Sequence, residues 1–389
     1  MSNNRVSWID LAKSISLIFV IVVHCLEINA VSAVLTGSAI PVFFILYGLA
    51  HNNKKHRDNS RSLIWSRFKS LMIPYFILSV AMVLIYFAVY SYTSIDVGLT
   101  PQEFGFWTIY GNGPIQRVSH LWYLRSMFFA IVLFQVFDKY LYDKPAALRF
   151  IIAFSLPAIG VWMKVASGLV LLPWSIDSIV ISLSFMIVGN EIRRYRSLES
   201  WGVDRSFDAV ALVLSATLFV MIAYINGYVN IGMSIYGVNI YLYMVTGLLG
   251  TYMLSILSYH ATTNFDIARA ISKFNDYSQE IYELHPMMIE LNVQFVGGIA
   301  LFNLVVIFPD SPLFLFNLLT AVFLSYLIAS RVIKRSSVLQ FMFLGKIKYR
   351  TEGSGSYGDF KIVKISQTLL ADSLAAVING LACTYNPHF

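Results

Sequence analysis

The chain has 389 residues, of which 57% are hydrophobic and only 13% charged, and its formal net charge is +7. Soluble domains carry about 25% charged residues, so a soluble core is excluded and a multi-span membrane protein is indicated. In such a protein the excess of Lys and Arg marks cytoplasmic loops and is no sign of nucleic-acid binding. The first apolar run, Trp8 to Glu27, reads WIDLAKSISLIFVIVVHCLE and carries Asp10, Lys13, His24 and Glu27. A charge at the middle of a membrane helix costs about 2.5–3.5 kcal/mol. Lys13 and His24 are eleven positions apart, close to three whole turns, so both project from one face about 16 Å apart. Asp10, three before Lys13, lies on nearly the same side as its charge partner. This stripe is expected to face a water-filled or protein-lined cavity. Two readings stand side by side. Asp10 and Lys13 fit a cap that snorkels to the headgroups, and His24 fits a neutral histidine bonded to a neighbouring helix. Alternatively His24 is a catalytic base, because imidazole most readily moves a proton near neutral pH. No small-residue cleavage site follows the run, which is expected to stay as a span. Cys25 and Cys383 form neither a disulfide framework nor a metal spacing.

Runs of about 20 apolar residues place spans near 7–29, 31–50, 71–91, 119–137, 149–165, 169–189, 208–226, 236–258, 278–307 and 311–330. The fold class is all-α, a polytopic membrane helix bundle of about ten spans. Lys and Arg cluster in 51–69, 138–149, 190–206, 259–275 and after 330, while 92–118, 166–168, 227–235 and 308–310 carry almost none. This alternation puts both termini in the cytoplasm, with Lys13 toward the inside and His24 toward the outside. The outer loop 92–118 holds Tyr92, Phe104, Phe106, Trp107 and Tyr110 among glycines. It suits a carbohydrate face, and equally an aromatic belt at the interface. His120, Trp122 and Arg125 open the next helix near its outer end; Arg125 there is either paired or snorkelling. Glu191 caps the end of span six with Arg194. Span nine opens YSQEIYELHP and places Glu280, Glu283 and His285 in an apolar run, with Pro286 able to kink it. Glu283 and His285, two apart, share no face, and His285 also reads as a helix-to-helix hydrogen bond. From 351, TEGSGSYGD is a linker by composition, and 361–382 has the spacing of an amphipathic helix. The membrane domain is therefore 1–335 and the cytoplasmic tail 336–389.

WIDLAKSISLIFVIVVHC resembles the opening helix of the integral-membrane acyltransferase type three family, especially its fucose 4-O-acetylase-like branch. That family is marked by a basic residue, ten intervening residues and a histidine, here Lys13 and His24. Many members carry Arg at the basic position; Lys lacks its bidentate fork. IPVFFILYGLA at 40–50 (with Tyr47 where many relatives have Ser), RFKSLMIPYF at 67–76, HLWYL at 120–124, the span ending in Gly189 and SQEIYELHP at 278–286 are similar in the same order. The resemblance covers about 5–335 and not the tail. It implies transfer of an acyl group, usually acetyl from acetyl-CoA, to a hydroxyl of a cell-envelope glycan or its lipid-linked precursor, in the bacterial cytoplasmic membrane. Under it, His24 takes the proton of the acceptor hydroxyl and Lys13, Arg67 and Lys69 hold the donor phosphates. His120, Trp122, Glu283 and His285 are expected to bind substrate, and no metal is expected. Membrane lipids are the other expected partner. The competing expectations are a proton-coupled transporter or glycan flippase, since intramembrane Asp, Glu, His and Lys also suit proton relays, and a structural subunit. The paired broken helices of inverted-repeat transporters are not seen in the sequence.

Overall fold

A computed structural model describes residues 6–26, 28–53, 59–93, 100–112, 121–199, 201–202, 204–297 and 312–346. In lipid, an apolar run satisfies its backbone groups internally as a helix. The described chain is a bundle of α1 (Ser7–Cys25), α2 (Ala30–Ala39), α3 (Pro41–Ala50), α4 (Ser60–Arg67), α5 (Ile73–Thr93), α6 (Pro101–Tyr110), α7 (Trp122–Leu141), α8 (Ala146–Ser167), α9 (Ile176–Tyr195), α10 (Arg205–Asn226), α11 (Ile240–Asn264), α12 (Asp266–Ser272), α13 (Ser278–Gly297), α14 (Pro312–Leu319) and α15 (Ser337–Leu344). Two short antiparallel strands, β1 (Val229–Asn230) and β2 (Ile235–Tyr236), join α10 to α11. A π turn at Phe68–Met72 fuses α4 to α5, and π and α turns carry α14 on to Arg335.

Among the described residues, eight helical stretches are long and apolar enough to cross a membrane. The expected span 31–50 is two helices: Ile40 keeps helical dihedrals and Pro41 opens α3, a position where its missing N–H costs nothing. The third expected span, 71–91, lies within a helix that begins earlier, at Ser60, and continues through α5 to Thr93. Two expected spans are helical without reaching that apolarity. α7 buries Arg125, Gln135 and Asp138, and α13 buries Glu280, Glu283 and His285; residues 298–307 lie outside the described residues. The segment 92–118 is not wholly loop. It contains α6, which Thr100 and Glu103 cap reciprocally, a boxed start that satisfies two exposed N–H groups.

α9 sits centrally, with 83% of its apolar window buried against 22% for those of α8 and α10, which lie at the periphery of the bundle. It packs on α3 through two glycines. A methyl added at Gly48 would stand 2.0 Å from the Met186 carbonyl oxygen, and one at Gly189 would stand 2.1 Å from that of Ile45. Close backbone approach of this kind is how helices gain attraction where lipid supplies no hydrophobic drive. At the end of α9 the buried Glu191 accepts a fork from Arg149, at 2.7 Å from Nε and 2.8 Å from Nη2. The expected partner Arg194 is also present at 3.2 Å; Arg149 had read as a loop charge. α15 packs Phe343 against the core, so helix packed on the bundle continues past 335. Glu27, Cys383 and the expected amphipathic helix at 361–382 lie outside the described residues.

Candidate active site

α1 lies in the interior with Trp8, Leu11, Ala12, Leu17, Val20 and Ile21 buried. Lys13, Leu17 and Val20 line a cavity of about 240 Å³ together with Tyr47 of α3, Arg67 of α4, Tyr123 and Met127 of α7, and Asn275, Gln279 and Tyr282. The spacing 13, 17, 20 follows one helix face, and His24 is the next position on it. Polar side chains gather where α1 and α13 begin: the Asn275 side-chain amide donates to Asp10 at 2.8 Å. Lys13 is half-buried and Arg67 exposed, with the guanidinium 5.9 Å from the centre of the Tyr47 ring. The other wall is apolar and aromatic, with Tyr123 and Tyr282 at 5.1 Å between ring centres.

One turn beyond Val20, His24 is exposed, and its Nδ1 lies 2.8 Å from the Val20 carbonyl oxygen. His285 of α13 is wholly buried, 3.2 Å through Nδ1 from the Ile281 carbonyl oxygen. Its Nε2 lies 3.4 Å from His24 Nδ1, with the rings edge to face at 5.0 Å. Lys13 and Arg67 thus line the cavity, Asp10 reaches it through Asn275, and His24 and His285 meet each other one turn past the lining.

Other expected residues fall elsewhere. Lys69 sits with its ammonium 5.9 Å from the Trp65 ring centre and does not line the cavity. The Trp122 ring packs beneath Gly232, where an added methyl would come within 2.5 Å of it; its neighbour Tyr123 lines the cavity instead. Glu283 is wholly buried and accepts from the Gln279 amide at 3.0 Å, behind the lining. His120 lies outside the described residues. Arg125 does not snorkel. It is buried, donates to Ser175 at 2.9 Å and Asn112 at 3.3 Å, and faces the Tyr75 ring. Beside it Trp174 and Ser175 both take positive φ, 57° and 54°, a strained arrangement the surrounding contacts must hold. Asp177 accepts from Ser234 and Tyr236, and burial together with that carboxylate raises the Tyr236 phenol above its ordinary range. The aromatic residues of α6 stack on one another, Phe106 on Tyr110 at 5.5 Å.

Neutral residues are what the sequence reading missed: Tyr47, Tyr123, Asn275, Gln279 and Tyr282. A search for charges in apolar runs passes over amides and phenols. Their signal was spacing, since 275, 279 and 282 recur at helical intervals. Among the described residues no group of three or more His, Cys, Asp or Glu side chains is placed to hold a metal ion. A family model described as an acyltransferase domain matches residues 6–344. No curated protein and no solved structure matches the chain.

Proposed function

The chain belongs to the acyltransferase type three family, and from that premise we propose that this multi-pass membrane acyltransferase moves an acetyl group from acetyl-CoA to a hydroxyl of a cell-envelope glycan. O-antigen, capsule and exopolysaccharide are such acceptors, the sequence motifs resemble those of the fucose 4-O-acetylase-like branch, and the bacterial cytoplasmic membrane is the proposed location. One observation carries the reading: a single face of α1 passes from Lys13 through the cavity lining at Leu17 and Val20 to His24. The cavity is smaller than the roughly 300–1,000 Å³ of pockets that engulf a drug-sized ligand. It suits the thioester arm of the donor, with the phosphates left near exposed Arg67 and half-buried Lys13, where cations pair with them.

In this reading the acceptor hydroxyl approaches His24 from its accessible side. His24 Nε2 takes the hydroxyl proton as the oxygen attacks the thioester carbonyl. The carbon–sulfur bond then breaks, the acetyl ester remains on the sugar, and the departing thiolate takes the proton back from the imidazolium. General base catalysis contributes about 10²–10⁴-fold. The His24→Asn variant is therefore expected to reach the membrane normally and to lose acetylation of the surface glycan by at least about 100-fold. Mass spectrometry and NMR of the glycan, read for an ester of acetyl mass, check it. Unchanged acetylation removes His24 from the chemistry, and substrate flux in vesicles lacking acetyl-CoA turns the assignment to a transporter.

A further inference from the structure

The geometry points to His285 as the positioning residue that fixes the working tautomer of His24, an inference that rests on the acetyltransferase reading for its catalytic meaning. A backbone carbonyl oxygen accepts hydrogen bonds and never donates them. His24 Nδ1 stands 2.8 Å from the Val20 carbonyl oxygen, and His285 Nδ1 stands 3.2 Å from that of Ile281. Each Nδ1 therefore carries a proton, and in its neutral form each ring keeps a lone pair on Nε2. The bare Nε2 of His285 faces His24 Nδ1 at 3.4 Å. It is a second acceptor for the N–H already given to Val20. The opposite tautomer of His24 would set a lone pair on Nδ1 against both a carbonyl oxygen and a ring nitrogen. Two repulsions replace two attractions, so Nε2 is left as the proton-accepting atom.

The two histidines divide the work by burial. His285 is wholly buried and is itself tied to α13, so it stays in place. His24 is exposed and meets His285 edge to face at 5.0 Å, which sets the plane of its ring. When His24 Nε2 gains the acceptor's proton, the ring becomes a cation and its Nδ1–H bonds become charge-assisted, the stronger kind. His285 thus favours the protonated ring that forms during attack without touching either substrate. A group acting this way changes turnover more than donor binding.

The test uses the full chain in native membranes that hold their own glycan acceptor, with acetyl-CoA as the probe and release of the CoA thiol as the readout. His285→Phe keeps a ring of similar shape and removes the acceptor. Its kcat is expected to fall about tenfold, the effect of one lost hydrogen bond of ordinary strength, with KM for acetyl-CoA within about twofold. His285→Gln, whose amide oxygen reaches roughly the position of Nε2, is expected to recover kcat to within about threefold of the native protein. In ¹⁵N-histidine-labelled native protein in lipid, solid-state NMR should show His24 protonated at Nδ1 and bare at Nε2. Unchanged kcat in His285→Phe, equal losses in the Phe and Gln variants, or a proton on His24 Nε2 in the native protein each overturns the inference. If His285→Phe is not recovered from membranes, the Gln variant and the native spectrum decide. If native membranes release no thiol the acetyltransferase reading fails, and if His24→Asn releases as much as the native protein His24 leaves the chemistry, while the spectrum still decides the tautomer.

Discussion

Replacing Gly189 by Ala opposes two effects of known sign. In an ordinary helix interior the change is favourable by about 0.5–1 kcal/mol, because glycine loses more backbone freedom on folding. At Gly189 the new methyl would stand 2.1 Å from the Ile45 carbonyl oxygen. An acceptable carbon–oxygen contact is about 3.3 Å, so α3 and α9 must part by about 1.2 Å or distort. Overpacking of this order costs about 1–3 kcal/mol, leaving a net loss of up to about 2.5 kcal/mol after the propensity gain. The partner substitution Gly48→Ala, with its methyl 2.0 Å from the Met186 oxygen, acts on the same gap. The double variant is therefore expected to lose less than the sum of the singles. Gly105→Ala is the control: it lies in α6 with nothing within 4 Å of the added atom, and should stabilise by about 0.5–1 kcal/mol. SDS unfolding in mixed micelles, followed by tryptophan fluorescence, measures all four proteins. Stability of Gly189→Ala at or above the native value would show that the close approach of α3 and α9 does not govern this interface. α3 also carries Phe43 and Tyr47 into the cavity wall, so turnover should fall with stability.

Glu191→Gln leaves the buried Arg149 guanidinium without its carboxylate, and loss of one partner of a buried pair costs about 3–5 kcal/mol; the same unfolding titration reads it. Lys13→Met and Arg67→Gln should each raise KM for acetyl-CoA about tenfold, as for loss of one charge-assisted contact of about 1.4 kcal/mol, with kcat much less changed. Steady-state thiol release measures both, and an unchanged KM would place the donor phosphates elsewhere. The Glu103 carboxyl is held below its ordinary value by the Thr100 backbone N–H and then by the Thr100 hydroxyl. A lowered folded value means that the cap on α6 is present above the unfolded value near 4.3 and is lost as pH falls through the folded one. A carboxyl ¹³C titration midpoint for Glu103 at or above the ordinary value would contradict that cap.

The helical bundle was legible because twenty-residue apolar runs admit one structure in lipid, and every expected span has helix within it among the described residues. The Lys13–His24 face was legible for the same reason as any helical stripe: eleven positions nearly close three turns. The helices α7 and α13 were legible, and so were the acids and histidine of α13; the first of the two was read as ending at 137, whereas α7 runs on to Leu141 and buries Asp138. What sequence could not carry was contact between distant elements. Nothing in the order of residues says that Arg149 rather than Arg194 supplies the fork on Glu191. Nor does it say that His285 meets His24, because both depend on which helices lie side by side. α6 was read as loop because its aromatic and glycine content resembles an interfacial belt, while its start rests on Thr100 and Glu103, a two-residue cap in an exposed segment.

The polar contacts of α1 have a consequence for how the protein is made. Asp10 finds Asn275 across 265 residues of chain, and His24 finds His285 across 261. At about 5–20 residues per second of synthesis, the first helix precedes its companions by about 13–52 s. Throughout that interval the stripe has α2 and α3 beside it but lacks these two contacts. The polar stripe of the first helix is therefore complete only once α13 has been made, late in synthesis.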